Sequence, residues 1–154
     1  MQPEMENHDK VILLVEDSED DAFLMKRAFK AAEIQNPIQV VRDGEAAIRY
    51  LLGEREFADR QKYPYPSLVF LDLKLPYLSG LEVLAWKAKH PEIPNAIFIV
   101  ITSSNEPSDL KTAYRLGASS YIVKPPTAEQ LVEIAKSFRL YWLMCNSFPE
   151  AKRG

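Results

Sequence analysis

Four sets of polar residues close otherwise apolar runs, and their types suit phosphoryl chemistry: Glu16 and Asp17 after VILLV, Asp72 in SLVFLDLKLP, Thr102 after AIFIVI, and Lys124 after SYIV. A charge at the end of a buried run is costly unless it is paired, neutralised or bound to a metal. Three carboxylates gathered at one point repel one another and raise each other's pKa, and a hard divalent cation relieves that repulsion. Mg²⁺ takes oxygen ligands, keeps several waters and commonly accepts only one or two protein carboxylates beside a phosphate oxygen. Asp17 and Asp72 are the expected direct ligands, with Glu16 acting through water and the backbone carbonyl of Lys74 as a third protein ligand; Mn²⁺ is the alternative cation. A carboxylate can also attack phosphorus, forming an acyl phosphate that divides a phosphoryl transfer into two easier steps. In that reading Asp72 attacks, the cation and Lys124 balance charge on the equatorial oxygens, and Thr102 hydrogen-bonds the transferred group.

For positions so far apart to meet, one sheet must carry them. Hydrophobic periodicity predicts strands near 11–16, 37–42, 67–72, 97–102 and 119–123, each followed by a stretch with helical spacing. Ser18-Glu19-Asp20-Asp21 opens the first helix, Thr127-Ala128-Glu129-Gln130 is a capping box for the last, Gly117 stops the fourth, and Pro91 and Pro94 end the third. Alternation of this kind builds an α/β fold, a flavodoxin-like (βα)5 doubly wound parallel sheet, and right-handed crossovers favour the strand order 2-1-3-4-5. In that order strands 1 and 3 are neighbours whose helices leave to opposite faces, so the crevice at their carboxyl ends is the expected ligand site. Glu16, Asp17 and Asp72 fall there, Thr102 ends the next strand, and Lys124 ends the one beyond. Residues 54–66, EREFADRQKYPYP, exceed the usual link between helix and strand. Tyr63-Pro64-Tyr65-Pro66 predicts a stiff, extended surface loop with exposed rings suited to partner contact; an insertion packed on its own helix is the alternative.

Composition narrows the class. A chain of 154 residues, 47% hydrophobic and 27% charged, can bury a core of its own, and a net charge of -3 argues against a nucleic-acid footprint. The single cysteine, Cys145, excludes an internal disulfide and fits a reducing, cytoplasmic setting. The N-terminal MQPEMENHDK is polar, and no apolar run approaches the roughly 18 residues of a membrane span. The expected organisation is a flexible tail over 1–9, one domain over 10–146 and a short tail over 147–154. His8 and His90 are not expected in the site. The C-terminal FRLYWLMCNSFPE presents Phe138, Tyr141, Trp142, Leu143 and Phe148, more large apolar groups than one helix face need bury; part of the stretch suits a homodimer interface, with core packing against the sheet as the alternative for each residue.

Over roughly residues 10–145 the combination resembles the receiver domain of two-component response regulators. Glu16-Asp17 looks like that family's metal-binding pair and Asp72 in FLDLKLP like its phosphoacceptor. Pro76 and Gly80 match the turn that follows, Thr102-Ser103-Ser104 the hydroxyl after the fourth strand, and Lys124-Pro125 the lysine with its typically cis peptide bond. The resemblance implies a switch in which Tyr121 moves inward when Thr102 turns toward phosphate, changing the face made by helix 4, strand 5 and helix 5. It also implies control of hydrolytic water by Lys74 and Ser104. Glu16 in place of a second Asp, and Ser103 where a small residue such as Ala is usual, are departures that remove no required group. The long loop and the lack of an output domain after helix 5 narrow the resemblance to stand-alone receivers that serve cyanobacterial phytochromes and related bacterial histidine kinases. The implied partners are a sensor histidine kinase and a downstream protein, with phosphoryl transfer only to the chain's own Asp72 and slow self-dephosphorylation. Two other functions are weighed beside this one. A metal-dependent phosphohydrolase would want an acid/base Asp two residues after the nucleophile, where Lys74 stands. A flavin- or nucleotide-binding protein would want a phosphate-cradling loop where EDSEDD repels phosphate.

Overall fold

The computed structural model describes residues 10–124 and 127–140. Ten regular elements alternate along it: β1 (Val11–Val15), α1 (Glu19–Ala31), β2 (Ile38–Val41), α2 (Gly44–Leu52), β3 (Pro66–Leu71), α3 (Gly80–Ala88), β4 (Ile97–Thr102), α4 (Pro107–Arg115), β5 (Ala118–Val123) and α5 (Ala128–Phe138). The strands are parallel and lie in the order β2-β1-β3-β4-β5, as the alternation predicted. Successive strand residues point to opposite faces, and both faces are covered. Ile12, Leu14, Phe70, Ile99 and Ile101 meet Ala22, Met25 and Phe29 of α1 and Leu131, Ala135 and Phe138 of α5. Leu13, Val15, Val69, Leu71 and Val100 meet Tyr50 and Leu51 of α2, Val83 and Leu84 of α3 and Ala113 of α4. A strand buried on both sides must be apolar throughout. That requirement makes the polar residue closing each run conspicuous.

The helix starts follow from local chemistry. Ser18 caps α1 by accepting from the Asp21 amide, Asp43 caps α2 through the Ala46 amide, and Ser79 and Thr127 form reciprocal capping boxes with Glu82 and Gln130. Because Ser18 is the cap, Asp17 is left outside the helix.

Two expectations are corrected. The rings of the 54–66 segment do not stand free: Phe57, Tyr63 and Tyr65 pack against the α2 side of the core. Tyr50, Phe57 and Tyr63 form a three-ring cluster with centroids 5.0–6.0 Å apart. Tyr50 donates its hydroxyl to the Pro64 carbonyl at 2.9 Å, and Tyr65 donates to Pro94 at 2.5 Å. Arg60 threads among these rings, 5.7 Å above both Tyr50 and Tyr65, and donates to the Leu51 and Tyr63 carbonyls. Its guanidinium fills the space beside Gly53, whose φ of 67° closes α2 and whose absent side chain leaves the room. The alternative of an insertion packed on its own helix is therefore the structure's answer, because a tyrosine body buries readily once its hydroxyl has a partner.

Phe138 is the second, and here core packing, the alternative to a dimer face, is what the structure shows. It lies edge-on against Phe70 with centroids 5.3 Å apart and is buried, so it belongs to the core and not to an exposed dimer face. Tyr141, Trp142, Leu143, Cys145, Phe148, His8, Pro125 and the tails at 1–9 and 147–154 lie outside the described residues. Among the described residues no helix is long and apolar enough to cross a membrane.

Candidate functional site

Glu16, Asp72 and Lys124 are each held one step beyond a strand by a backbone bond that prolongs the sheet. The Glu16 amide donates to Val41 (3.0 Å), the Asp72 amide to Val15 (3.1 Å), and the Lys124 amide to Thr102 (2.7 Å). The carboxyl ends of β1, β3, β4 and β5 are thereby brought to one place, centred on the β1/β3 boundary where α1 and α3 leave to opposite faces. Gly80 lets α3 close over this point: a Cβ there would collide with the Asp72 carbonyl and stand 2.7 Å from the Leu73 Cα. Its amide instead donates to Leu73 at 2.9 Å.

Glu16, Asp17 and Asp72 each bring a carboxylate oxygen within 4.8 Å of the others'. Glu16 and Asp72 are buried and Asp17 is exposed, so the group opens to solvent on one side. Lys124 reaches into it from β5. Its Nζ lies 2.6 Å from Glu16 Oε1, 3.0 Å from Asp72 Oδ2 and 2.9 Å from Asp21 Oδ2. Backbone donors hold the remaining carboxylate oxygens in place: Ser18 N–H bonds Glu16 Oε2 at 3.2 Å, and Lys74 N–H bonds Asp72 Oδ1 at 3.0 Å. The Lys74 side chain itself is exposed.

The electrostatics follow from this packing. Burial pushes the Glu16 carboxyl up to about 6, against the opposing pull of Lys124. Burial disfavours the Lys124 charge, yet hydrogen bonds to Glu16, Asp21 and Asp72 outweigh it and hold the ammonium above the ordinary lysine range. Counting Asp17, four carboxylates share the neighbourhood of this ammonium, so the group is short of positive charge. All the acceptors are hard oxygens, and their spacing and charge deficit fit a divalent cation.

On the other flank, Thr102 is fully buried at the end of β4, and its Oγ1 accepts from the Ser104 amide at 3.4 Å. Ser104 is a junction. Its hydroxyl donates to Asp109 of α4 at 2.5 Å and accepts from the Glu106 amide at 3.3 Å, while its carbonyl accepts from the Tyr121 hydroxyl at 2.9 Å. Tyr121 is half-buried, and burial pushes its hydroxyl up. A chain of short contacts thus runs from Thr102 through Ser104 to β5 and the first turn of α4.

Sequence reasoning gathered Glu16, Asp17, Asp72, Thr102 and Lys124 correctly at the strand ends. It missed Asp21 as a partner of Lys124 and Asp109 as a partner of Ser104. No signal in the sequence separates Asp21 from Glu19 and Asp20, which share the first turn of α1.

Comparison with known proteins gives one answer. The model of the response regulator receiver domain matches residues 12–136. The response regulator Rcp1 of Synechocystis is 33% identical over 145 residues, which cover 94% of this chain and 97% of that protein. The crystal structure of the Mn²⁺-bound form of Rcp1 superposes with a TM-score of 0.80 at 33% identity, covering 92% of this chain and 99% of that one. The phosphorylated cyanobacterial phytochrome response regulator RcpA gives 0.82 at 33% identity, with the same coverage.

Proposed function

The chain belongs to the response regulator receiver domain family, and from that premise we propose that it is a phosphoacceptor whose Asp72 takes a phosphoryl group from a histidine of a sensor kinase. The observation that carries this reading is the Asp72 carboxylate, buried at the β1/β3 crevice with one oxygen on Lys124 Nζ and the other on the Lys74 amide. A carboxylate oxygen attacks phosphorus; the new O–P bond forms as the P–N bond to the kinase imidazole breaks, and the imidazole leaves with that electron pair and takes a proton from solvent. Lys124 keeps its protons and offers positive charge to the oxygens of the transferred group. Asp17 and Asp72 are the proposed direct ligands of Mg²⁺ or Mn²⁺, with Glu16 through water and Lys74 through its backbone carbonyl; the proximity of the three carboxylates and the Lys74 amide bond to Asp72 support this set. When bound, the cation supplies the positive charge that the four carboxylates lack.

Thr102 is the proposed hydroxyl that turns toward the phosphoryl group, and Tyr121 the aromatic that follows. The long 3.4 Å bond from the Ser104 amide is the contact that Thr102 would give up, and the Ser104 carbonyl is the acceptor Tyr121 would leave. The altered surface is then the α4–β5–α5 face, where Leu110, Tyr114 and Val123 are exposed. The description of RcpA as a phytochrome response regulator supports a phytochrome-type histidine kinase as the upstream partner. The family membership displaces both the phosphohydrolase and the flavin alternatives.

The test is intact-protein mass after exposure to a small phosphodonor, with and without Mg²⁺, on wild type beside Asp72→Asn. The expected result is one hydroxylamine-labile phosphate, dependent on the cation and confined to wild type. An adduct retained in Asp72→Asn would overturn the assignment.

A further inference from the structure

Asp21 is the contact that the phosphoacceptor reading leaves unused. An ammonium has three N–H donors, and Lys124 engages three carboxylates: Glu16, Asp72 and Asp21. The first two belong to the group whose oxygens fit a divalent cation; Asp21 does not. The three also differ in exposure. The Glu16 and Asp72 side chains are 2% and 7% exposed, whereas Asp21 is 41% exposed, toward the rim. Any cation held by Glu16, Asp17 and Asp72 takes electron density that Lys124 now uses and repels the ammonium across a few ångströms. An ammonium driven from buried oxygens needs another anion close by, or it must be expelled into water and lose its place beside Asp72.

We propose that Asp21 is a positioning residue for Lys124: it retains the ammonium at the rim of the site when a divalent cation occupies the three-carboxylate group, so that cation and ammonium are held together beside Asp72. This inference rests on the phosphoacceptor reading of the site. The residue is set up for the role by the helix cap. Ser18 accepts from the Asp21 amide at 3.2 Å and fixes the backbone of the first turn of α1, while the Asp21 side chain turns to the site. Glu19 and Asp20 lie in the same turn and satisfy the helix dipole equally well, but of the three acidic residues it is Asp21 that bonds Lys124. Without Asp21 the ammonium settles fully on Glu16 and Asp72 and competes directly with the cation.

The discriminating experiment is a Mn²⁺ titration, read as free Mn²⁺ by electron paramagnetic resonance, on wild type, Asp21→Asn, Asp21→Glu and Asp20→Asn, with Asp21→Asn repeated in a Lys124→Met background. Asp21→Asn is expected to weaken Mn²⁺ binding by about three- to tenfold, Asp20→Asn by less than about twofold, and Asp21→Glu to recover most of the loss. In Lys124→Met the Asp21→Asn effect should shrink to that of Asp20→Asn, because no ammonium is left to position. Equal loss in both backgrounds would reduce Asp21 to one more nearby negative charge and overturn the inference, as would wild-type affinity in Asp21→Asn. If wild type binds Mn²⁺ and takes phosphate while the cycle shows no coupling, only the role of Asp21 fails. If wild type binds no Mn²⁺, the cation-dependent reading fails and this inference with it. Circular dichroism melts of each variant separate lost affinity from lost fold.

Discussion

Glu16 bears the cost of burying a charge in the site. Its carboxyl titrates at about 6 in the folded chain against 4.5 when unperturbed, because burial penalises the ion more than Lys124 stabilises it. A carboxyl whose folded pKa is raised binds more protons folded than unfolded. Its contribution to stability is therefore present below pH 4.5 and is lost as pH rises to about 6, a loss of about 2 kcal/mol. In chelator-treated protein, Glu16→Gln should consequently gain on wild type by roughly that amount between pH 4.5 and 7 in denaturant melts. Added Mn²⁺ should restore the wild type at pH 7, since a cation beside Glu16 offsets its charge and disfavours its protonation. A difference between the two proteins that does not change with pH would contradict the assignment of this titration to Glu16.

At the scale of elements, the 54–66 segment behaves as an extension of α2 rather than as a free loop. Tyr50 is fully buried, and its hydroxyl bond to Pro64 ties the start of β3 to the helix. Tyr50→Phe keeps the three-ring cluster but leaves the Pro64 carbonyl without that donor, so a loss of about 1–2 kcal/mol is expected in urea melts. Faster proteolysis within 54–66 should accompany it. The segment also shows where sequence reading stops. The central strands β1, β3 and β4 were legible because a parallel sheet covered on both faces demands unbroken apolar runs there, and Asp72 was legible because it closes one. The YPYP run conveyed stiffness but not direction, and nothing in it said that the hydroxyls of Tyr50 and Tyr65 would find carbonyls at Pro64 and Pro94. Asp21 was hidden for a similar reason: Glu19, Asp20 and Asp21 are equivalent as first-turn acids, and only the rotation of α1 about its axis sorts them.

For the whole molecule, the proposed switch has a path from the crevice to the surface. Thr102, Ser104, Tyr121 and Asp109 link the crevice to α4 through consecutive hydrogen bonds, and Leu110 and Tyr114 lie exposed on that helix. We expect a phosphoryl analogue to raise the mass of wild type by light scattering in a concentration series, and Tyr114→Glu to suppress the rise without altering labelling of Asp72. A mass unchanged in every condition would remove self-association from the account and leave the surface to other partners.

Lys124 and Glu16 are 108 positions apart, yet 2.6 Å separates their charges. During synthesis the carboxylates that follow β1 and β3 and open α1 emerge well before the lysine that pairs with them. Until it arrives, Glu16, Asp17 and Asp72 have no Lys124 ammonium to oppose their repulsion. Docking of β5 therefore completes the sheet and brings the ammonium to those carboxylates in the same event.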